Sequence, residues 1–330
     1  MNIWNKAYGV LMGVAVGDSL GMPSELWSRR KVKEHFGEIN DFLPGPEGHF
    51  VAEGMQAGEV TDDTNQAVKI AEAIIEEKGE IKPEKIAAKL LEWVKENNAF
   101  ANNMLGPSSS KALQRIADGE PVELTGKEGN TNGAAMRISP VGIISSISDL
   151  NQLVDNTEKT CLPTHHTDVA VAGAAGIASA VSAAMEGKDL DYVFNIAVKA
   201  MKMGYKRGKE TFGPSLVERT YWALRIVEES TVSEEALEKL YNLIGTGVAV
   251  AQSIPTSLAI VKLAGGDPIE AGLMAANLGG DCDTIGAIAG GICGGYMGID
   301  GIPDYYINKI REVNNLNLDK IAKELIEYRY

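Results

Sequence analysis

A chain of 330 residues with 45% hydrophobic and 23% charged side chains has the makeup of a globular protein with a large core. Its 31 Lys and Arg against 45 Asp and Glu leave a formal charge of −14. That balance excludes a nucleic-acid partner, which calls for a basic face, and suits a protein that collects divalent cations. The three cysteines, Cys161, Cys282 and Cys293, contain no C-x-x-C pair, which argues against a disulfide framework and a thiolate zinc site and places the chain in a reducing cytoplasm.

In chain order, the apolar stretch from Ala7 to Gly17 follows Lys6 as the core of an export signal would. Glycines break it and it runs directly into a polar motif, so it reads as a first helix closed by a turn over 17–25. Residues 37–61, bearing Gly and Pro, form a long loop. Ala67, Ile70, Ala71, Ile74 and Ile75 then recur at helical spacing, with Glu72, Glu76 and Glu77 on other faces. Pro83 sits at a first-turn position of the next helix, which carries Ile86, Leu90, Trp93 and Val94. Similar helices read at 109–117, 149–160, 167–186, 189–203, 215–229, 233–244, 253–264, 267–277, 302–313 and 317–328, with a second long loop over 119–134. The Ala- and Gly-rich segments 167–186 and 284–297 point to helices packed too closely for large side chains. The glycine-rich run from Ile285 to Met297 is shorter than the about 20 apolar residues a bilayer requires, so no membrane is expected. Alternating β runs are nearly absent, and no linker or repeat divides the chain. The expectation is an all-α, single-domain protein over residues 1–330.

Five polar stretches punctuate this helical pattern. Thr61-Asp62-Asp63-Thr64 and Gly279-Gly280-Asp281-Cys282-Asp283-Thr284 each precede a helix. Each is explained as an N-cap, because Thr and Asp are preferred there. Taken together they also form a ligand set of carboxylates and hydroxyls, hard oxygens that suit Mg²⁺, Mn²⁺ or Ca²⁺, for ions that in such pairs lie about 3.5–4 Å apart. Gly17-Asp18-Ser19-Leu20-Gly21-Met22-Pro23-Ser24-Glu25 offers Glu25 as a proton-transfer group; alone, a Glu in a loop is more often surface decoration. Gly129-Asn130-Thr131-Asn132-Gly133 leads into a helix, a junction whose N–H groups can bind phosphate. Thr164-His165-His166-Thr167-Asp168 resembles a zinc site only weakly, since neighbouring histidines usually point apart.

These stretches together resemble the ADP-ribosylglycohydrolase family. The resemblance rests on G-D-S-L-G-M-P-S-E (17–25), T-D-D-T (61–64), N-G-A-A-M-R (132–137), T-H (164–165) and G-G-D-C-D-T-I-G (279–286), in the family's order. It implies an orthogonal helical bundle with a central cleft holding two divalent cations, Mg²⁺ or Mn²⁺. The implied ligands are Thr61, Asp62, Asp63, Asp281, Asp283 and Thr284. Glu25 is implied to stand near the reacting centre, the loop with Gly129, Asn132 and Gly133 to hold a diphosphate, and His165 to line the substrate pocket; either Glu25 or a metal-bound carboxylate such as Asp62 would manage the proton. The implied partner is an ADP-ribosylated protein or a small molecule containing ADP-ribose.

One departure bears on the acceptor. Many members of the nitrogenase-regulating branch carry Asp-Ile-Gly where this chain reads Met104-Leu105-Gly106, which counts against an arginine-linked substrate. Three functions follow from the resemblance: a metal-dependent hydrolase of ADP-ribosyl groups, a metal-dependent ADP-ribose binder without turnover, and a hydrolase of another ribosyl substrate.

Overall fold

A computed structural model describes residues 2–102 and 104–329. Among the described residues there are eighteen α-helices, and the only β pairing is three isolated bridges. The all-α expectation is met.

The first helix, Ile3–Gly21, opens at Asn2, whose side chain accepts the Trp4 N–H, and it is buried along nearly all of its length. It does not close at residue 17 as the sequence reading had it, but runs on to Gly21 before a 3₁₀ turn over Met22–Ser24. The glycines that looked like breakers are its contact surface. Gly9, Gly13, Gly17 and Gly21 recur every four residues on one face. They lie against Gly294, Gly290, Gly286 and Cys282 of the helix Cys282–Met297, which runs antiparallel and is the first helix's most extensive partner. A Cβ on Gly13 would fall on the carbonyl oxygen of Gly290, and one on Gly290 on that of Gly13. The two backbones therefore touch, closer than helices with side chains between them can come.

That seam has a consequence for function. Because the pair is antiparallel, the C-terminal end of the first helix meets the N-terminal end of the last long one. The motifs 17–25 and 279–286 thus share one end of the seam.

The helix Asp168–Met185 is long and apolar enough to cross a membrane, but 94% of it is buried inside the protein. It packs on Leu190–Gly204, Ser139–Ile144 and Cys282–Met297. Gly204 is pressed onto the backbone of Ala172. The principal apolar cluster runs through these helices and reaches from Ala7 to Leu325; a smaller one gathers Ala223, Ile226, Leu240, Ile244 and Ala259. The helix read at 253–264 begins earlier, at Val250, so that Pro255 lies inside it and not in its first turn.

Candidate functional site

Three connections bring the polar motifs to one place. The Leu26 N–H donates to the Gly280 carbonyl (2.6 Å) and the Gly280 N–H to the Trp27 carbonyl (2.8 Å), tying the strand-like segment after Glu25 to the 279–286 turn. Gly279 and Gly280 turn there with φ of 83° and 90°, a region that disfavours any side chain. Second, Asp18 reaches out of the first helix to the start of Asp62–Glu76. Its carboxylate accepts the Thr61 N–H (3.1 Å), the Thr64 N–H (3.1 Å) and the Thr64 hydroxyl, capping that helix from a neighbouring element. Third, the Asn132 amide donates to Asp281 (2.5 Å) and to the Ser253 hydroxyl (3.0 Å).

The result is an acidic floor. The Thr284 hydroxyl donates to Asp63 at 3.3 Å across 221 positions of sequence, so the motifs at 61–64 and 281–284 meet. Glu25, Asp281 and Asp283 each offer a carboxylate oxygen within 4.8 Å of the others. Glu25, Asp62, Asp63, Asp281, Asp283 and Thr284 all line one cleft of roughly 820 Å³, counted out to its mouth. Thr61 lies behind them, its hydroxyl accepting the Asp63 N–H (3.3 Å). Capping and support of the cleft-lining Asp63 therefore coincide at Thr61. They separate at Asp281, which occupies the N-cap position of its helix but makes no capping hydrogen bond with its side chain, pointing at Asn132 instead.

Burial raises every acid of this floor, and repulsion from neighbouring acids adds to it at Glu25, Asp62, Asp63 and Asp283. Burial pushes Asp18 and Asp281 up to about 6. Asp62 reaches about 7 through burial and then the charge of Asp18, against the pull of Arg137. Glu25, Asp63 and Asp283 lie well above the ordinary carboxylate range, through burial first and then through Asp281, Asp62 and Glu25 respectively. Glu25 Oε2, Asp63 Oδ1 and Asp283 Oδ1 are buried and accept no hydrogen bond from the described residues.

The walls are of another kind. Leu26 and Phe50, 51% and 76% exposed, stand at the mouth with Val51. Met104, Leu105, Pro107, Met136 and Val248 add to this apolar lining, and among the described residues no Lys, Arg or His lines the cleft.

Two expectations change here. His165 does not line the cleft: it is fully buried beneath the loop, where a Cβ on Gly133 would come within 2.9 Å of its ring. Gly129 is likewise buried, with its N–H donating to Gly126 (3.1 Å) and its carbonyl accepting the Thr167 hydroxyl (2.6 Å). The Asn132 N–H is engaged by Val248 (2.9 Å). The N–H groups of Gly129 and Asn132 are thus used inside the protein, and of the loop residues Thr131, Asn132 and Gly133 reach the cleft. His166 turns away to Glu158 (3.0 Å), so the histidine pair forms no joint metal site.

Sequence reasoning missed Asp18, Gln66, Thr131 and Arg137 as site residues. A charged side chain inside an apolar helix marked Asp18, and spacing of four from Asp62 marked Gln66, whose amide donates to Asp62 Oδ2 (2.7 Å).

Against known proteins, the model of the family described as ADP-ribosylglycohydrolase matches residues 1–330. The chain belongs to the ADP-ribosylglycohydrolase family. Members similar to it include the uncharacterized protein YegU of Escherichia coli (strain K12), 41% identical over 98% of this chain and 97% of its own length. ADP-ribosylarginine hydrolase Tri1 of Pseudomonas putida is 25% identical over 98% of this chain and 78% of its own, and human ADP-ribosylhydrolase ARH3 23% identical over 90% and 86%. A solved chain titled ADP-ribosylglycohydrolase-related protein complex shares the ADP-ribosylglycohydrolase fold at a TM-score of 0.70, covering 99% of both chains at 24% identity. The family and its named members are ADP-ribosyl hydrolases, which are glycosidases.

Proposed function

We propose that this chain is a divalent-metal-dependent glycosidase that removes ADP-ribosyl groups from a protein or small-molecule acceptor. The observation that carries the reading is the trio of buried, unpartnered carboxylate oxygens on Glu25, Asp63 and Asp283. Buried carboxylates in proteins are paired or coordinate metals, and no Lys or Arg faces this floor within the cleft. The donor set is all hard oxygen, because burial pushes the intervening Cys282 thiol up to about 12 and keeps it protonated. Such a set fits Mg²⁺ or Mn²⁺.

Thr61, Asp62, Asp63, Asp281, Asp283 and Thr284 would hold two such ions. When bound, the pair supplies positive charge to the ribose hydroxyls and lowers the pKa of a water. The chain's own groups do the rest. Glu25 lines the same cleft with a buried carboxylate oxygen that has no hydrogen-bond partner among the described residues, and is the group assigned to hand a proton to the leaving group. Positive charge developing at the anomeric carbon meets the carboxylates of the floor. The apolar mouth excludes water from the reacting end.

Met104 and Leu105 favour an acceptor other than arginine, because an apolar wall stands where an arginine-directed site would present a carboxylate to the guanidinium. Turnover of ADP-ribosylated arginine, ADP-ribosylated serine and free nucleotide sugars, each with Mn²⁺ and with chelator, tests the reading. Chelator-sensitive release of ADP-ribose from one of them is the expected result. Binding of ADP-ribose without turnover of any of them would leave a binder, and turnover insensitive to chelator would remove the metal.

A further inference from the structure

Arg137 is 1% exposed and donates to three side chains, a long bond of 3.4 Å to the Ser109 hydroxyl and two that matter here. One N–H goes to the carbonyl oxygen of Gln66, which fixes the amide so that its NH₂ faces Asp62. The other goes to the Thr164 hydroxyl oxygen at 2.5 Å. A guanidinium only donates, so the direction of everything beyond it is constrained. Thr164 is fully buried, and the one acceptor the described residues give its own O–H is His165 Nδ1 at 2.8 Å. His165 Nδ1 is then an acceptor, the ring is neutral, and its proton sits on Nε2. Nε2 lies 3.1 Å from the Thr131 hydroxyl, to which it must donate. The Thr131 oxygen is thereby used as an acceptor, and its own O–H has no acceptor among the described residues. Thr131 lines the cleft.

We infer that Arg137, Thr164 and His165 form a polarised relay that makes the Thr131 hydroxyl a hydrogen-bond donor to an anionic oxygen of the bound substrate, the diphosphate of an ADP-ribosyl group. Thr131 is the substrate-binding residue; Arg137, Thr164 and His165 are positioning residues. Burial also keeps His165 well below its ordinary pKa, consistent with a neutral ring. The relay solves a problem the site sets. A cation exposed beside the floor would be drawn onto its carboxylates, whereas one placed behind two neutral side chains delivers its polarity without its charge. The loop's glycines fit the same purpose: side chains at Gly129 and Gly133 would collide with Thr164 and His165 and lift Thr131 away from the ring.

The inference rests on the cleft being the ADP-ribosyl site, and the test separates the two. Calorimetric titration of the metal-loaded wild type with ADP-ribose comes first; no binding overturns the functional reading and Thr131's role with it. Given binding, Thr131→Val should weaken ADP-ribose by roughly 10- to 100-fold, the loss of a hydrogen bond to a charged group. Thr131→Ser should restore it, and affinity for free ribose should not change in either variant. Equal ADP-ribose affinity in wild type and Thr131→Val overturns the proposal, as does an equal loss for ribose. Independently of any variant, the ¹⁵N shifts of His165 in the wild type should show the Nε2–H tautomer at pH 7. A proton on Nδ1 reverses the relay and overturns it.

Discussion

The two ends of the helix Asp62–Glu76 carry the same chemistry in opposite states. At its C-terminal end, Glu76 is paired with Lys85 and with Lys89 (2.6 Å to the latter), and these hydrogen bonds bring its carboxyl down to about 2. Lys69 on the same helix reaches Glu92 (2.9 Å) and Glu96 (3.1 Å) on the neighbouring helix Pro83–Glu96. At its N-terminal end, fifteen residues of helix away, Asp62 is buried, faces other acids and stands at about 7. Each acid at the outer end has a lysine; the inner end has Arg137, one step removed behind Gln66. The outer end of this helix pairs its acids, Glu72, Glu76 and Glu77, with lysines; the inner end does not. Leaving several carboxylates unpaired on one floor is destabilising unless protons or bound cations neutralise them, and the proposed function assigns that task to divalent cations.

The comparison can be broken from the inner end first. Asp63→Asn should reduce turnover to background, yet raise the melting temperature of the chelator-treated protein at pH 7, because a buried like charge has gone. An unfolded variant would make Asp63 structural, like Glu76. Glu25→Gln should lower turnover by roughly 10²–10⁴ with metal stoichiometry unchanged. A lost ion instead would place Glu25, whose carboxylate lies within 4.8 Å of Asp281 and Asp283, in the ligand set.

The seam that holds the inner end in place gives the next effect. Gly290→Ala sets a Cβ against the backbone of Gly13, which no rotamer change relieves, and should cost about 3 kcal/mol in denaturant unfolding, at the upper end of overpacking. A loss within 0.5 kcal/mol, the ordinary range for exposed sites, would show that the helices can slide apart. Acidity then sharpens the contrast. Carboxyls with folded pKa values raised above 3.8 bind their protons more tightly in the folded state, so the stability they give is present below about pH 4 and lost as pH rises through about 6 to 7. Metal-free protein should therefore melt progressively lower across that window, and Mn²⁺ should remove the slope. Smallest of all, Glu76→Gln at the exposed end should change stability by less than about 1 kcal/mol and turnover not at all.

Much of this was legible in the sequence because it is local. Helical period marked Asp62–Glu76 and Pro83–Glu96 with their boundaries nearly right, and Thr-Asp clusters marked the two helix starts. What stayed hidden was pairwise. Gly9, Gly13 and Gly17 read as breakers because their spacing of four has meaning only against Gly294, Gly290 and Gly286, far along the chain. His165 was placed in the cleft by the family resemblance alone; the sequence does not show that Gly133 lies over its ring. Gly129 failed for a related reason: its N–H looks free until Gly126 is seen beneath it. Asp18 was in plain view inside a motif, but its partners are the backbone N–H groups of Thr61 and Thr64, which no side-chain pattern announces.

The most direct test of the metal-bearing floor is calorimetric titration of chelator-treated protein with Mn²⁺ at pH 6.5 in two buffers of different ionisation enthalpy. Carboxyls that stand at about 6 to 7 when metal-free must release protons as they become ligands. The account predicts two ions per chain with protons released on binding, and both the second ion and the release lost in Asp283→Asn. Binding without proton release, or binding unchanged in Asp283→Asn, would contradict it.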